Sequence, residues 1–430
     1  MTYDTDEDDS STKLDIRCLE ADEDGHRKRF FEKGLGALLA DMYFLLLYVP
    51  KDGAKMRIIR PATDPYHRQR MIKRATDAKT IPSFYYALSH LWGISKDNLQ
   101  LWEEIGNYVD DTDGQPAAPV PMRLEKRATL LALLKAHPDS YWWIDVLCAR
   151  TDIPLDIMGD IYACCLECIA MIDCEPSLLS KFHTEKHMRE ELVDAGYEPR
   201  SKVIMNGKRL YAKYPQLHAQ VYQLQQSEWW KRVWTWQEMA LPYGAVRLMA
   251  ETDDHHFQSN TTTIDDVVNC FKDAVVVESY LRANCANAPI ALAGNEADIF
   301  NFMEEVYQAR SFNKYRIGKQ SLSEISSLLV SLGASSRRCM DPVDYVYGVH
   351  GMFQIKIPRM SDPTAVWQRF MSELEKYTEA MVNEKSEIDG KNYKFPAFAY
   401  RIDLREAENM SDVYERLSHG FYFGLPCEQS

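Results

Sequence analysis

The sequence predicts an α/β protein built on a mostly parallel sheet with flanking helices, followed by a mainly α-helical C-terminal region. Three observations predict it. "FYYALS" (84–89) and "YWWIDVL" (141–147) are continuously apolar rather than alternating, as strands covered on both faces must be. Pro154 follows the second run where a first-turn proline belongs, and Met158, Ile161, Tyr162, Cys165 and Ile169 continue at helical spacing. "IAMID" (169–173) then reads as a third strand, so strand, helix and strand alternate as in a parallel sheet.

Taken in order, residues 1–25 are rich in Asp and Glu and nearly free of apolar side chains, which predicts a disordered acidic tail. Residues 26–80 read as a helix leading into "MYFLLLYVP" (42–50), a turn at "KDGA" and a second strand "KMRIIRP" (55–61), together a hairpin. Asp64 to Thr80 reads as a charged connector. The α/β domain spans 81–250, with residues 177–226 as an inserted helical pair. From 251 to 430 amphipathic stretches such as "SLSEISSLLVSLGASS" (321–336) predict a mainly helical region.

Bulk properties narrow the function. At 430 residues the chain is long enough for two or three domains with a large core. Its 64 acidic and 50 basic residues give a net charge of −14, which disfavours nucleic-acid binding because that needs a concentrated basic surface. The longest apolar run is about half the ~20 residues of a membrane helix, and no secretory leader is visible, so no membrane role and a cytoplasmic location are expected. Ten cysteines without regular spacing read as reduced thiols.

Phosphate-cradling glycine loops are absent, since neither G-x-x-x-x-G-K-[ST] nor G-x-G-x-x-G occurs, and no cofactor is expected on motif grounds. His183 and His187 stand one turn apart, but Thr184 replaces the glutamate of the zinc-protease motif, so a solvated helix face is the expected reading. Cys164, Cys165, Cys168 and Cys174 lack a second ligand pair, and three of them fall where a core helix buries small residues. No metal site is expected.

Ligands of open α/β sheets bind outside the carboxyl ends of the strands. Ser89 and His90 end the first apolar run, Trp92 and Gly93 begin its loop, and Asp145 lies within the second run as either an acceptor for loop amides or a ligand. "SEWWKRVWTWQEMALP" (227–242) places Trp229 or Trp230, Val233, Trp236 and Ala240 on one helical face, with Glu238 elsewhere, one turn from Trp234. Spacing alone favours a surface or ion-paired Glu238; a desolvated carboxylate beside an indole is the functional alternative. Glu228 and Arg232 have the spacing of an i,i+4 ion pair.

Three ordered stretches, "YYALSHLWG" (85–93), "YWWIDVLCARTD" (141–152) with "IYACC" (161–165), and "WWKRVWTWQEMAL" (229–241), resemble the fungal heterokaryon incompatibility (HET) family. "DPVDYVYGVHGMF" (341–353) resembles a segment often found after that domain. His90 departs from the usual Tyr, and Ala149, Arg150 and Thr151 from Ile-Asn-Gln. The resemblance implies a role in non-self recognition and the ensuing cell death, and a remote likeness to Toll/interleukin-receptor (TIR) domains, which have a flavodoxin-like sheet. Some of those cleave NAD with a glutamate in a W-C-x-x-E-L motif, to which Trp234 to Glu238 is similar in spacing. By that likeness Glu238 is the expected catalytic residue, Ser89, Trp92, Gly93, Asp145 and Trp234 line the nucleotide, and NAD is a substrate rather than a cofactor. Protein partners or self-association are expected; the alternative is a non-catalytic, self-associating scaffold.

Overall fold

The computed structural model describes residues 14–18, 25–93, 99–149, 154–182, 216–253, 260–269, 294–316, 322–389 and 395–421. The first helix is α1 (His26–Ala40), followed by strands β1 (Leu46–Val49) and β2 (Met56–Ile59) and helix α2 (Pro65–Thr76). Strand β3 (Tyr86–His90) leads to the short β4 (Leu101–Trp102), β5 (Val109–Asp110) and β6 (Val120–Pro121). Helix α3 (Arg127–Ala136), β7 (Ser140–Ile144), the single turn α4 (Asp145–Cys148), α5 (Met158–Ala163) and β8 (Cys168–Ile172) follow. Then come α6 (Gln216–Gln225), α7 (Thr235–Ala240), β9 (Val246–Ala250) and β10 (Thr261–Thr263). The C-terminal region is helical: α8 (Gly294–Arg316), α9 (Leu322–Gly333), α10 (Asp344–Tyr347), α11 (Pro363–Asp389) and α12 (Met410–Phe421). Among the described residues no helix is long and apolar enough to cross a membrane.

Eight strands form one sheet in the order β10-β9-β8-β3-β7-β1-β2-β5. Its centre is parallel: β3 pairs with both β7 and β8, and β8 with β9. Every residue of β7 and β8 is buried, which is why their sequences do not alternate. In chain order the four central strands lie second, first, third, fourth, the flavodoxin-like order, with its switch point between β3 and β8. Antiparallel pairs extend this centre on both sides, β10 on β9 and the β1–β2 hairpin on β7. The hairpin therefore joins the main sheet, through Leu47 opposite Trp142.

Several expectations are corrected. Residues 14–18 do not belong to a disordered tail: Leu14 and Ile16 are buried, and the Ile16 amide donates to Glu32 at 3.3 Å. The connector at 64–80 contains α2, whose Asp64 side chain caps the His67 amide ahead of Pro65. The run at 141–147 leaves the sheet after Ile144, so Asp145 sits at the strand's carboxyl end and starts α4. Residues 228–241 are not one helix. A 3₁₀ turn over Glu228–Lys231 ends at an extended Arg232 before α7 begins. The rest of the acidic tail, most of the helical pair at 177–226, the His183/His187 pair, Arg150 and Thr151 lie outside the described residues.

Cys164, Cys165 and Cys168 are buried and unbridged, and burial pushes the thiols of Cys165 and Cys168 well up. They pack as small apolar side chains around the end of α5 and the start of β8.

Candidate functional site

Ser89 and His90 end β3, Asp145 follows β7, and Asp173 follows β8, so four polar residues converge at the carboxyl ends of strands around the switch point. Asp173 fastens the tryptophan-rich segment there. It accepts from the Ser227 hydroxyl, from the Glu228 amide at 3.0 Å and from the Trp229 amide at 3.3 Å. That anchor directs Trp229 inward, where its indole N–H donates to the Ser89 hydroxyl at 2.7 Å.

The Ser89 hydroxyl in turn donates to the Glu238 carboxylate. Glu238 is 4% exposed, so it is not a surface charge, and the Trp234 indole hydrogen-bonds to Asp344. Burial raises the Glu238 carboxyl to about 6, opposed by the Arg232 cation, the Ser89 hydroxyl and Tyr162. Tyr162 is itself fully buried, and its phenol is pushed well up by that burial and by Glu238. Arg232 does not pair with Glu228, which holds Lys231 at 2.6 Å. Its guanidinium donates to the His90 carbonyl at 2.8 Å and acts on Glu238 and Asp145 together.

Asp145 forms the second half. One carboxylate oxygen lies 2.9 Å from His90 Nε2 and accepts from the Val146 amide at 2.7 Å; the other accepts from the Trp92 indole. Burial opposes its ionisation, but His90, Trp92 and Arg232 outweigh burial and hold the carboxyl below its ordinary value. Trp92 is 38% exposed, so its indole carries this buried network to the surface. Behind His90 stands Lys126, fully buried, with Nζ donating to the Leu91 carbonyl and lying 3.3 Å from His90 Nδ1. Burial lowers that ammonium to about 8, partly offset by Glu251, which lies 3.5 Å away and also holds Arg123 at 3.0 Å. His90 Nδ1 also lies 2.9 Å from the Leu91 carbonyl oxygen, and burial, with Lys126 nearby, lowers the imidazole against the pull of Asp145.

Gly93 has a backbone reason for its identity. A Cβ there would meet the Gln100 carbonyl oxygen at 2.5 Å and the Met122 amide nitrogen at 2.7 Å. Residues 94–98 after it lie outside the described residues.

Residues 85–238 match the family model described as Heterokaryon incompatibility protein (HET). These residues are a HET domain. The match begins one residue before β3 and ends at Glu238, so Ser89, His90, Asp145, Arg232 and Glu238 all fall within it. It supports a role related to heterokaryon incompatibility. No curated protein and no solved structure matches the chain.

Within the HET domain the structure brings Ser89, Asp145, Trp92 and Glu238 into one largely buried network, while the Trp234 indole hydrogen-bonds to Asp344. Sequence reading missed Arg232, Lys126, Tyr162 and Trp229 as members of the site. Arg232 was assigned to a helical ion pair, and the break in the helix that frees it is set by distant contacts. Nothing local marks Lys126; its carboxylate partner Glu251, just after β9, is more than a hundred residues away in sequence. His90 carried a signal: a polar residue at the carboxyl end of a buried strand has to find a partner.

Proposed function

We propose that the HET domain takes part in a cytoplasmic incompatibility and cell-death response by hydrolysing NAD at the bond between nicotinamide and ribose. The observation that carries this reading is a buried, ionisable Glu238 beside the switch point, hydrogen-bonded by Ser89, with a partly exposed Trp92 at the edge of the same network. Its spacing from Trp234 is like that of the TIR glutamate. In the reaction the C1′–N bond breaks, nicotinamide leaves with the bonding electrons, and water adds to C1′ and releases a proton. Glu238, ionised above about 6, faces the positive charge that develops on the ribose, in a low-dielectric setting where a fixed carboxylate acts strongly. Trp92 offers a flat face for a ring of the nucleotide, and Asp145 holds that indole in place.

Glu238 is covered in the single chain, so entry of NAD requires the crevice to open, which self-association or a protein partner supplies. The second reading, a non-catalytic self-associating scaffold, draws on the same burial: Ser89, Arg232 and Tyr162 compensate Glu238 as they would a structural carboxylate. The test is nicotinamide release from NAD by concentrated full-length protein beside its Glu238→Gln variant. Release that the variant loses while keeping its fold supports hydrolysis; none from assembled wild-type protein leaves the scaffold reading.

A further inference from the structure

We propose that Arg337 and Arg310, both outside the HET domain, are positioning residues that set the Glu238 carboxylate by clamping the two ends of α7. This rests on Glu238 being the reacting carboxylate. Helix α7 has only six residues, too few to hold its shape through its own hydrogen bonds. At its start, the buried Arg337 guanidinium donates to the Thr235 hydroxyl and to the Arg232 carbonyl at 3.4 Å. It is fixed from behind by Glu305 on α8 at 2.6 Å. At the other end, Arg310 on α8 donates to the carbonyls of Met239 and Pro242, both at 3.0 Å, and of Gly244 at 3.3 Å. Asp265 holds Arg310 with both oxygens, at 2.9 and 2.8 Å. Carbonyls at a helix end lack partners within the helix, and the arginine fork supplies one.

The backbone between the clamps is tied to the same region. The Val233 amide donates to the Arg338 carbonyl at 3.0 Å, the Arg338 amide to the Lys231 carbonyl at 2.7 Å, and the Gln237 side chain to the Tyr347 carbonyl at 3.3 Å. A purely packing role would place these arginines anywhere on the interface. Instead their bonds converge on the segment that carries Arg232 and Glu238. Arg337 grips the main chain of Arg232, whose guanidinium is the chief influence lowering the Glu238 carboxyl. Loosening that grip withdraws the cation from Glu238.

The test is an infrared titration of the protonated Glu238 carboxyl band in the full chain, assigned by its loss in Glu238→Gln. Arg337→Lys and Thr235→Val are compared with wild type; the second is isosteric and buries no charge, so it carries the test if the first fails to fold. The expected result is a midpoint raised by about half a pH unit or more, because the anion loses its cation. NAD turnover falls with it, by about tenfold, through misplacement of the carboxylate. An unchanged midpoint, or one falling toward the ordinary carboxylate value, overturns the proposal. If wild-type protein releases no nicotinamide but the midpoint rises, the hydrolysis reading fails while the clamp stands.

Discussion

At the scale of single residues, Glu238 and Asp145 show how two carboxylates at one crevice are pushed apart. Burial dominates at Glu238 and raises it to about 6; His90, Trp92 and Arg232 dominate at Asp145 and lower it. The consequence for stability has opposite signs. Because the folded Glu238 carboxyl lies above its ordinary value of 4.5, the native state binds the extra proton. Its contribution is fully present below 4.5 and is lost as pH rises through about 6, worth about 2 kcal/mol. Glu238→Gln should therefore stabilise the protein by about that amount at pH 7.5, and the gain should vanish near pH 4, as read by urea unfolding at both values. Asp145 contributes above its ordinary carboxyl value and loses that contribution as pH falls through its lowered one. Asp145→Asn takes the anion from the Trp92 indole and the His90 contact and should cost about 1.5–3 kcal/mol at neutral pH. Intact stability in that variant would mean the His90 contact carries little.

At the scale of elements, what could be read from the sequence followed local pattern, and what could not depended on distant contacts. The central strands β3, β7 and β8 were legible because covered parallel strands have no other way to be written than as apolar runs. Helix α2 was missed although its signals were present: Asp64 caps and Pro65 occupies the first turn, but the charge density of 64–80 masked them. The break at Arg232 was not legible, because the pairing of Val233 and Lys231 with Arg338 that sets it comes from more than a hundred residues away. Gly93, expected at the nucleotide from the family likeness alone, also has a steric role: its missing side chain lets the backbone of 100 and 122 approach. Gly93→Ala should cost about 1–3 kcal/mol by overpacking, measured as a lower denaturation midpoint. A midpoint like that of wild type would show that the β4–β6 turn can give way.

At the scale of the whole molecule, the HET domain is not bounded by its own core. Trp230 packs edge-on against Phe302 of α8 with centroids 5.0 Å apart, and Arg310 and Arg337 bind the backbone around α7. The amphipathic stretches of the C-terminal region announced helices with an apolar side, but periodicity cannot say which surface that side covers. A chain ending after Asp253 loses the cover of Trp230 and both arginines, and is expected to unfold without a cooperative transition and to bind an apolar dye. Cooperative unfolding of that fragment would mean the domain holds the site by itself. The same contacts join α8 to the segment that carries Glu238, through Arg310 and through Glu305, which holds Arg337.

The central claim, that Glu238 acts as an ionised carboxylate in NAD cleavage, is tested most directly by the pH dependence of nicotinamide release by concentrated full-length protein between about pH 5 and 8. The account predicts release that rises through a single ionisation near 6, is flat above it, and is absent in Glu238→Gln. Release that is independent of pH across that range, or that survives in the variant, would contradict it.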